Sequence, residues 1–420
     1  VRTFKAALVG IGGFGSSHVR AMSELAQEGR IEIPAFAELQ PDRFPEQFER
    51  LTALGAAHYT DYEQMLADHP EIDFVAIATP IAAHKPMCVR VLEMGFHVLV
   101  EKPPAVTIQD LDEIIAARKA SGKLCQVDFQ NTSGRAFREL LDRLHAGAIG
   151  EVKRVTGVGI WSRSKAYYAR TPWAGKLTNG GKYVLDGTFN NPFAHLLNNC
   201  LLAAGDADPS RMLPQTVQAE LYRVNDIEGD DVSCIRAVTH DGVEVLFYAM
   251  LCHPANETPF IAVEGTLGEI VWHYDNRIVQ RIGGEEEVRS FGEENLMRNM
   301  YDNLMQAIAN PDVPLFAPIE ASRGFVLVSN GAYESSQAVR TISGSFVTEQ
   351  EAGDSIIRLL PALSEGIREA ASQGLLYSEV PFPWAKPTEP ARMDAYRHFE
   401  LPPGYATEGR TPPSGVPNQA

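Results

Sequence analysis

The chain has 420 residues, 45% hydrophobic and 22% charged, with a formal net charge of −17. That length implies two or three domains, and the composition is that of a globular chain with a full core. The acidic excess repels phosphate backbones and anionic lipid, so neither nucleic acid nor a membrane surface is an expected partner.

No apolar run approaches the ~20 residues that span a bilayer. An apolar strand pattern occupies Phe4–Val9, without the charged and then long apolar stretches of a secretory leader. A cytoplasmic location is therefore expected. The five cysteines are odd in number and none has C-x-x-C spacing. They read as buried free thiols in a reducing compartment, not as a disulfide framework or zinc site.

Up to about residue 120, strand and helix signals alternate. Phe4–Val9 stops at a glycine cluster, and a helical pattern over Ser17–Gln27 closes at Gly29. Ile33–Glu38 and Phe74–Thr79 read as strands, with a helix ending over Met65–His69. Lys85–Met94 reads as a helix, His97–Val100 as a strand and Ile108–Ser121 as a helix. Continuous apolar strands alternating with helices predict a doubly wound parallel sheet covered on both faces. From about Gly150 the strands lengthen and half-alternate: Val152–Trp161, Gln215–Asn225, Val232–Thr239, Val243–Cys252, Phe260–Glu264 and Glu269–Tyr274. Asp241-Gly242 is a hairpin turn between two of them. Helices near Glu294–Ala309 and Ile319–Ala338 follow. The second unit is thus α+β with an open, mostly antiparallel sheet. The last 40 residues hold nine of the 27 prolines, including Pro402-Pro403 and Pro412-Pro413. They predict an extended tail, wrapped on a neighbouring surface or disordered. The expected division is 1–125, 126–380 and a tail at 381–420.

The first chemical signal is Gly10-Ile11-Gly12-Gly13-Phe14-Gly15, between a strand and a helix. Gly10 permits a tight turn, Gly12 lets the backbone approach a pyrophosphate, and Gly15 allows close helix–strand packing. The helix N-terminus offers free N–H groups to phosphates. Glu38 ends the second strand, where a carboxylate accepts from ribose hydroxyls and repels a 2′-phosphate. NAD is therefore expected over NADP, although Arg43, five residues on, keeps a phosphate contact open. Thr79-Pro80 and Glu101-Lys102-Pro103 close two strands on the edge where open α/β sheets bind ligands. A lysine there can carry the proton of a substrate hydroxyl.

These residues, with His84 and Gly95-x-His97, resemble the Gfo/Idh/MocA family of glucose–fructose oxidoreductase and inositol dehydrogenase. The resemblance is strong over the first third of the chain. Glu334-Ser335-Ser336 extends it weakly to about residue 340. It implies a Rossmann domain, then an open sheet that supplies a substrate pocket and the face of a homo-oligomer, dimer or tetramer. It also implies nicotinamide-dependent hydride transfer on sugars, cyclitols or polyols. Lys102 matches the family's catalytic lysine, and Thr79, Pro80, His84, Glu101 and Lys102 are expected around the cofactor. A cis bond before Pro103 is implied too. Two other functions occur on this fold: glycoside cleavage through transient oxidation at NAD, and non-catalytic regulation.

The family's second motif, Gly-Gly-x-x-x-x-Asp-x-x-x-His, is met by Gly180, Gly181 and Asp186, but Asn190 stands in the histidine position. An amide takes no proton at neutral pH. His195 is the nearby substitute, yet five residues on it lies about 140° round a helix from Asn190 and aligns better with Asn191. Pro192 suits a helix's first turn with Asn191 as its N-cap. The expectation is that Lys102, Asp186 and Asn190 line the pocket with His195 at its edge. Arg163, Tyr168 and Trp173, with Asn191, are candidate substrate contacts, since rings stack on sugar faces and cations fix polar groups. The same loop would equally serve a subunit contact. Glu228, Asp230 and Asp231 read as a solvated turn and not a metal site, and no metal is expected. His253 is a further candidate for the pocket.

Overall fold

The computed structural model describes residues 2–401 and Tyr405. Its first sheet contains β1 (Phe4–Val9), β2 (Ile31–Glu32), β3 (Ala35–Ala37), β4 (Ala57–Tyr59), β5 (Phe74–Ile77), β6 (His97–Val100) and β7 (Cys125–Val127). The order is β4-β3-β1-β5-β6-β7, with β2 also pairing with β1, and every ladder is parallel. Strands such as β5, Phe-Val-Ala-Ile, are buried on both faces by helices, so they carry no polar alternation. The order reverses beside β1, which places the loops after β1 and β5 around one crevice. Helix α1 (Gly15–Gln27) follows β1, and α2 (Ile81–Glu93) and α3 (Ile108–Ser121) follow β5 and β6. The side chain of Thr107 caps α3, and Gly122 ends it in the left-handed conformation.

The second sheet is built on β8 (Val152–Ile160), β9 (Pro214–Arg223), β10 (Val232–Thr239) and β11 (Glu244–Met250). It continues through β12 (Phe260–Gly265), β13 (Gly268–His273), β14 (Arg277–Ile282) and β15 (Glu285–Ser290). The order is β15-β14-β13-β12-β8-β11-β10-β9, then Val339–Thr341, and all but two of these pairings are antiparallel. Asp241-Gly242 turns between β10 and β11, with Gly242 at φ 80°. Alternate residues of β11 face opposite cores. Val245, Phe247 and Ala249 join the large core, which includes helices α4 (Ala194–Ala204) and α5 (Ser322–Ser336). Leu246, Tyr248 and Met250 face Leu363, Ile367 and Tyr377.

Two stretches cross the expected domain limits. Helix Leu296–Ala309 buries Met297, Tyr301, Leu304 and Met305 in the core around α1 and β1. Residues 381–401 pack on their own chain. Ala391–Arg392 adds to β9, Tyr396 Oη donates to Glu334, and Phe399 exchanges two hydrogen bonds with Gln109 of α3. Both Pro-Pro pairs lie outside the described residues. All five cysteines are free and buried. Among the described residues no helix is long and apolar enough to cross a membrane.

Candidate active site

The turn after β1 is shaped for close approach. Gly10 has φ 88°, and a Cβ there would lie 2.6 Å from the Ala78 carbonyl oxygen. A Cβ on Gly15 would lie 2.5 Å from the Gly10 oxygen, so α1 packs against the turn only as glycine allows. Glu38 accepts from Ile11 N at 3.1 Å and from Gln40 N, which holds its carboxylate beside the turn. The N–H groups of Gly12, Gly13 and Phe14 have no partner among the described residues. Such unpaired donors at a helix N-terminus fit the pyrophosphate of a dinucleotide. The Phe44 ring lies over Gly12. A cleft of about 620 Å³ opens beside the turn, between Phe14, Ser17 and Gln130 on one side and Asn295–Met297 on the other.

At the ends of β5 and β6, Thr79 and Pro80 are open to solvent, but two predicted cofactor contacts are not. His84 is 1% exposed, and its ring nitrogens lie 2.8 Å from Pro103 O and 2.7 Å from Thr79 O. It straps the two strand-end loops together, with no ring nitrogen left for a cofactor. Glu101 is also buried, with Oε1 on His18 Nε2 at 2.8 Å and Oε2 on the Lys102 N–H. Both are therefore corrected to supporting positions. The Lys102–Pro103 bond is cis.

Lys102 Nζ donates to Asn191 Oδ1 and to Asn191 O, both at 3.1 Å. Asn191 Nδ2 donates to Asp186 Oδ1 at 2.9 Å, and Gly175 N donates to Asp186 Oδ2 at 2.6 Å. One amide thus bridges the lysine and the carboxylate. Burial lowers the lysine's pKa, opposed by the Glu101 and Asp186 charges, and burial raises that of Asp186. Both shifts disfavour the charged forms of the two groups.

Asn190 does not take part. It is 1% exposed and its Oδ1 accepts from Ser329 Oγ of α5 at 2.9 Å. Its neighbour Asn191 occupies the pocket in its place and caps no helix; α4 begins later, at Ala194, with Phe193 in the cap position. The reason is local backbone. Leu185 is held at φ 50° and the chain stays non-helical from Asp186 to Phe193. Glycines seat α4 close: a Cβ on Gly157 would strike Cys200 Sγ, and one on Gly159 the Phe193 ring. His195, half-buried on the first turn of α4, meets Phe129 edge-on with 5.9 Å between ring centroids. Its Nδ1 is buried without a partner, and burial and then the Lys102 charge hold its pKa well below the usual imidazole value. It is therefore a neutral ring within the field of Lys102.

Four supporting residues, His18, Asp128, Asp230 and Asp231, carried no weight in the sequence reading. His18, three residues after Gly15, is fully buried between Tyr301 Oη at 2.7 Å and Glu101. Asp128 lies 3.7 Å from His18 Nε2, and neither of its oxygens has a hydrogen-bond partner. Burial pushes Glu101 up to about 7, raises Asp128 well above the usual carboxylate range and lowers His18. This compact acid–imidazole cluster adjoins Lys102, and burial disfavours the charged form of each of its three groups. Asp230 and Asp231, expected in a solvated turn, are fully buried. Asp230 accepts from Thr188 N and Oγ1, and Asp231 from Val224 N and Asn225. A Cβ on Gly187 would lie 2.0 Å from Asp230 Oδ1, and one on Gly229 1.8 Å from Asp186 O, so these glycines and Asp230 lock the Asp186 turn.

The loop after β8 stands beside this turn. Tyr167, Tyr168 and Asp186 border a cavity of about 10 Å³, no larger than a water. The Arg163 guanidinium lies 4.8 Å from the Trp161 ring and 5.0 Å from Tyr167. Arg170 lies 3.6 Å from Tyr167 and 5.3 Å from Trp173. His253 turns to Ala255 O and Glu257 instead.

Residues 4–129 match the model of the Gfo/Idh/MocA family, an oxidoreductase family with an NAD-binding Rossmann fold. A glycosyl hydrolase family 109 protein of Shewanella pealeana is 30% identical over 199 residues, 44% of this chain and 43% of that protein. Inositol 2-dehydrogenase of Salmonella typhimurium is 30% identical over 156 residues, 37% of this chain and 45% of the enzyme. The match therefore spans less than half the length of these curated relatives. The WlbA dehydrogenase of Bordetella pertussis, solved with NADH and UDP-GlcNAcA, superposes with a TM-score of 0.65 at 22% identity, over 80% of this chain and 97% of that one. Levoglucosan dehydrogenase, solved with NADH and L-sorbose, gives 0.66 at 18% identity, over 80% and 97%. These two show a shared fold. Over residues 4–129 the chain is therefore similar to the Gfo/Idh/MocA oxidoreductases and their NAD-binding Rossmann fold.

Proposed function

We propose that the chain transfers hydride between NAD and a hydroxyl-bearing carbon of a sugar, cyclitol or polyol. The observation that carries this reading is the Lys102–Asn191–Asp186 bridge at the strand edge next to the glycine turn. NAD supplies the hydride acceptor or donor. The protein's own part is the proton. Lys102, its ammonium destabilised by burial, takes the hydroxyl proton in the oxidative direction and returns it in the reductive one. Asn191 aims the amine, Asp186 holds Asn191, and neutral His195 offers one further hydrogen-bonding group. Glu38 favours NAD, because its carboxylate would face the 2′-phosphate of NADP. An intact bridge disfavours a purely regulatory role.

The glycosyl hydrolase relative keeps a second reading open, in which oxidation is transient and the cofactor returns to its starting state. One experiment separates the two. The protein is incubated with NAD and a panel of cyclitols, aldoses, polyols and aryl glycosides, and NADH and released aglycone are both followed. Stoichiometric NADH supports the dehydrogenase, and aglycone release without net NADH supports the glycosidase. Lys102→Met is expected to lower turnover by roughly 100-fold or more, the scale of a general acid–base group, with NADH affinity nearly unchanged. NADPH binding as tightly as NADH would overturn the role given to Glu38.

A further inference from the structure

Two guanidinium groups flank the site and form no ion pair with a carboxylate among the described residues. Among the described residues, Arg163 and Arg170 donate to the main-chain oxygens of Ser162 at 2.8 Å and Tyr167 at 2.6 Å, and Arg163 also interacts with the Tyr167 hydroxyl. Arg163 Nε is buried without an acceptor. In this acidic chain many arginines find carboxylates, as Arg143 does with Glu139 and Glu287, Arg236 with Glu379 and Arg323 with Asp112. These two instead lie against aromatic rings and share Tyr167, at 5.0 and 3.6 Å from its centroid.

An aromatic face holds a guanidinium by its plane and leaves its N–H edge free for a bidentate acceptor. Two cations around one ring repel each other unless an anion joins them. The Asp186 charge lies within the field of Arg170, but Asp186 is 3% exposed, its oxygens accept from Gly175 N and Asn191 Nδ2, and it forms no ion pair with either guanidinium. The arginines nonetheless stand close to the chemistry. Tyr167 borders the same small cavity as Asp186, and the Arg170 charge bears on both Asp186 and Lys102. Arg170 is exposed and Arg163 half-exposed, so a ligand can reach both.

We infer that the substrate carries an anionic group, a carboxylate or a phosphate ester, which Arg163 and Arg170 clamp while its reacting hydroxyl faces Lys102. This rests on the hydride-transfer reading for the site, and it narrows the substrate class from sugars and polyols to their acids or phosphates.

The test uses the full chain saturated with NADH and matched probe pairs: glucuronate against glucose, gluconate against glucitol, and glucose 6-phosphate against glucose. Binding is read by calorimetry. In at least one pair the acid is expected to bind roughly tenfold tighter or more, as charge-assisted bidentate contacts imply. That advantage shrinks as salt rises from ~0.05 M to ~0.5 M, because the clamp is partly exposed. The carboxylate and phosphate pairs tell the two sources apart. Arg170→Gln and Arg163→Gln each reduce the advantage and leave NADH affinity unchanged. Arg170→Lys keeps the charge, loses the fork and falls between. Neutral partners binding as tightly as the acids in every pair, absence of any binding included, overturn the proposal. So does an acid preference that survives in the double Arg→Gln variant. A bound acid that never reduces NAD sinks the hydride-transfer reading and leaves the clamp standing. Efficient oxidation of a neutral polyol, unchanged in both arginine variants, does the reverse.

Discussion

Asn191 is the residue whose alteration tests the site's logic most sharply. Asn191→Ala removes the Oδ1 acceptor 3.1 Å from Lys102 Nζ and the Nδ2 donor 2.9 Å from Asp186, but keeps the main-chain acceptor. A hydrogen bond to a charged group contributes about 1.5–3 kcal/mol. At about 1.4 kcal/mol per pH unit, losing the Oδ1 contact lowers the lysine's pKa by roughly one unit once partial exposure is discounted. Oxidation needs the neutral amine, so the acidic limb of its pH–rate profile moves down by that amount. The plateau rate also falls, by about 10–100-fold, because the amine is no longer aimed. Asn191→Asp acts the other way: a carboxylate in the same place favours the ammonium and moves the limb up. The assay is kcat against pH with any substrate that reduces NAD, with NADH affinity as the control for folding. Limbs that stay put in both variants, or move in the same direction, refute the bridge as the device that tunes Lys102.

What could be read from the residues alone follows a physical division. The places of the glycine turn, Glu38 and Lys102 were legible because backbone geometry and strand order dictate them, whereas Asp186 was marked by the resemblance to the family's second motif. The choice between Asn190 and Asn191 was not. It depends on Leu185 at φ 50° and on a chain that stays irregular until Ala194, and neither leaves a periodic signal. Helix α4 was expected from Pro192 with Asn191 as its cap, and it starts at Ala194 instead; ten of its 11 residues are buried, so no polar stripe marks where its face begins. Asp230 and Asp231 look like solvent-facing acids in one dimension. Only the Gly187 and Gly229 contacts, made across some 40 residues of chain, show that they brace Asp186. His18 did leave a signal, a histidine one helical turn beyond Gly15 on the face α1 turns to the sheet, but its partners Glu101 and Tyr301 are distant in sequence.

Gly15→Ala should cost about 1–3 kcal/mol in chemical denaturation, since its Cβ would sit 2.5 Å from the Gly10 oxygen and main chain cannot yield cheaply; a neutral result would mean the turn is looser than drawn. Gln109→Ala should loosen residues 391–401, whose Phe399 main chain it grips through two hydrogen bonds, and faster amide exchange at Phe399 measures it. Asp230→Asn concerns pH. Asp230 is fully buried, Oδ1 has no partner, and burial pushes the carboxyl up to about 7 from 3.8. With the folded value above the unfolded one, the native state holds the extra proton. That stabilisation is complete below about pH 4 and is lost as pH rises through about 7. Asparagine keeps an acceptor for Thr188 and never ionises, so the variant escapes the loss. A displacement of about three units caps the effect near 4 kcal/mol. The amide's unpaired N–H offsets part of that, leaving about 1–2 kcal/mol in favour of the variant at pH 8. Thermal midpoints of both proteins at pH 5 and pH 8 decide it. Asp230→Asn should gain on the parent between the two, and a variant that falls further behind at pH 8 would mean Asp230 is held as a paired carboxylate.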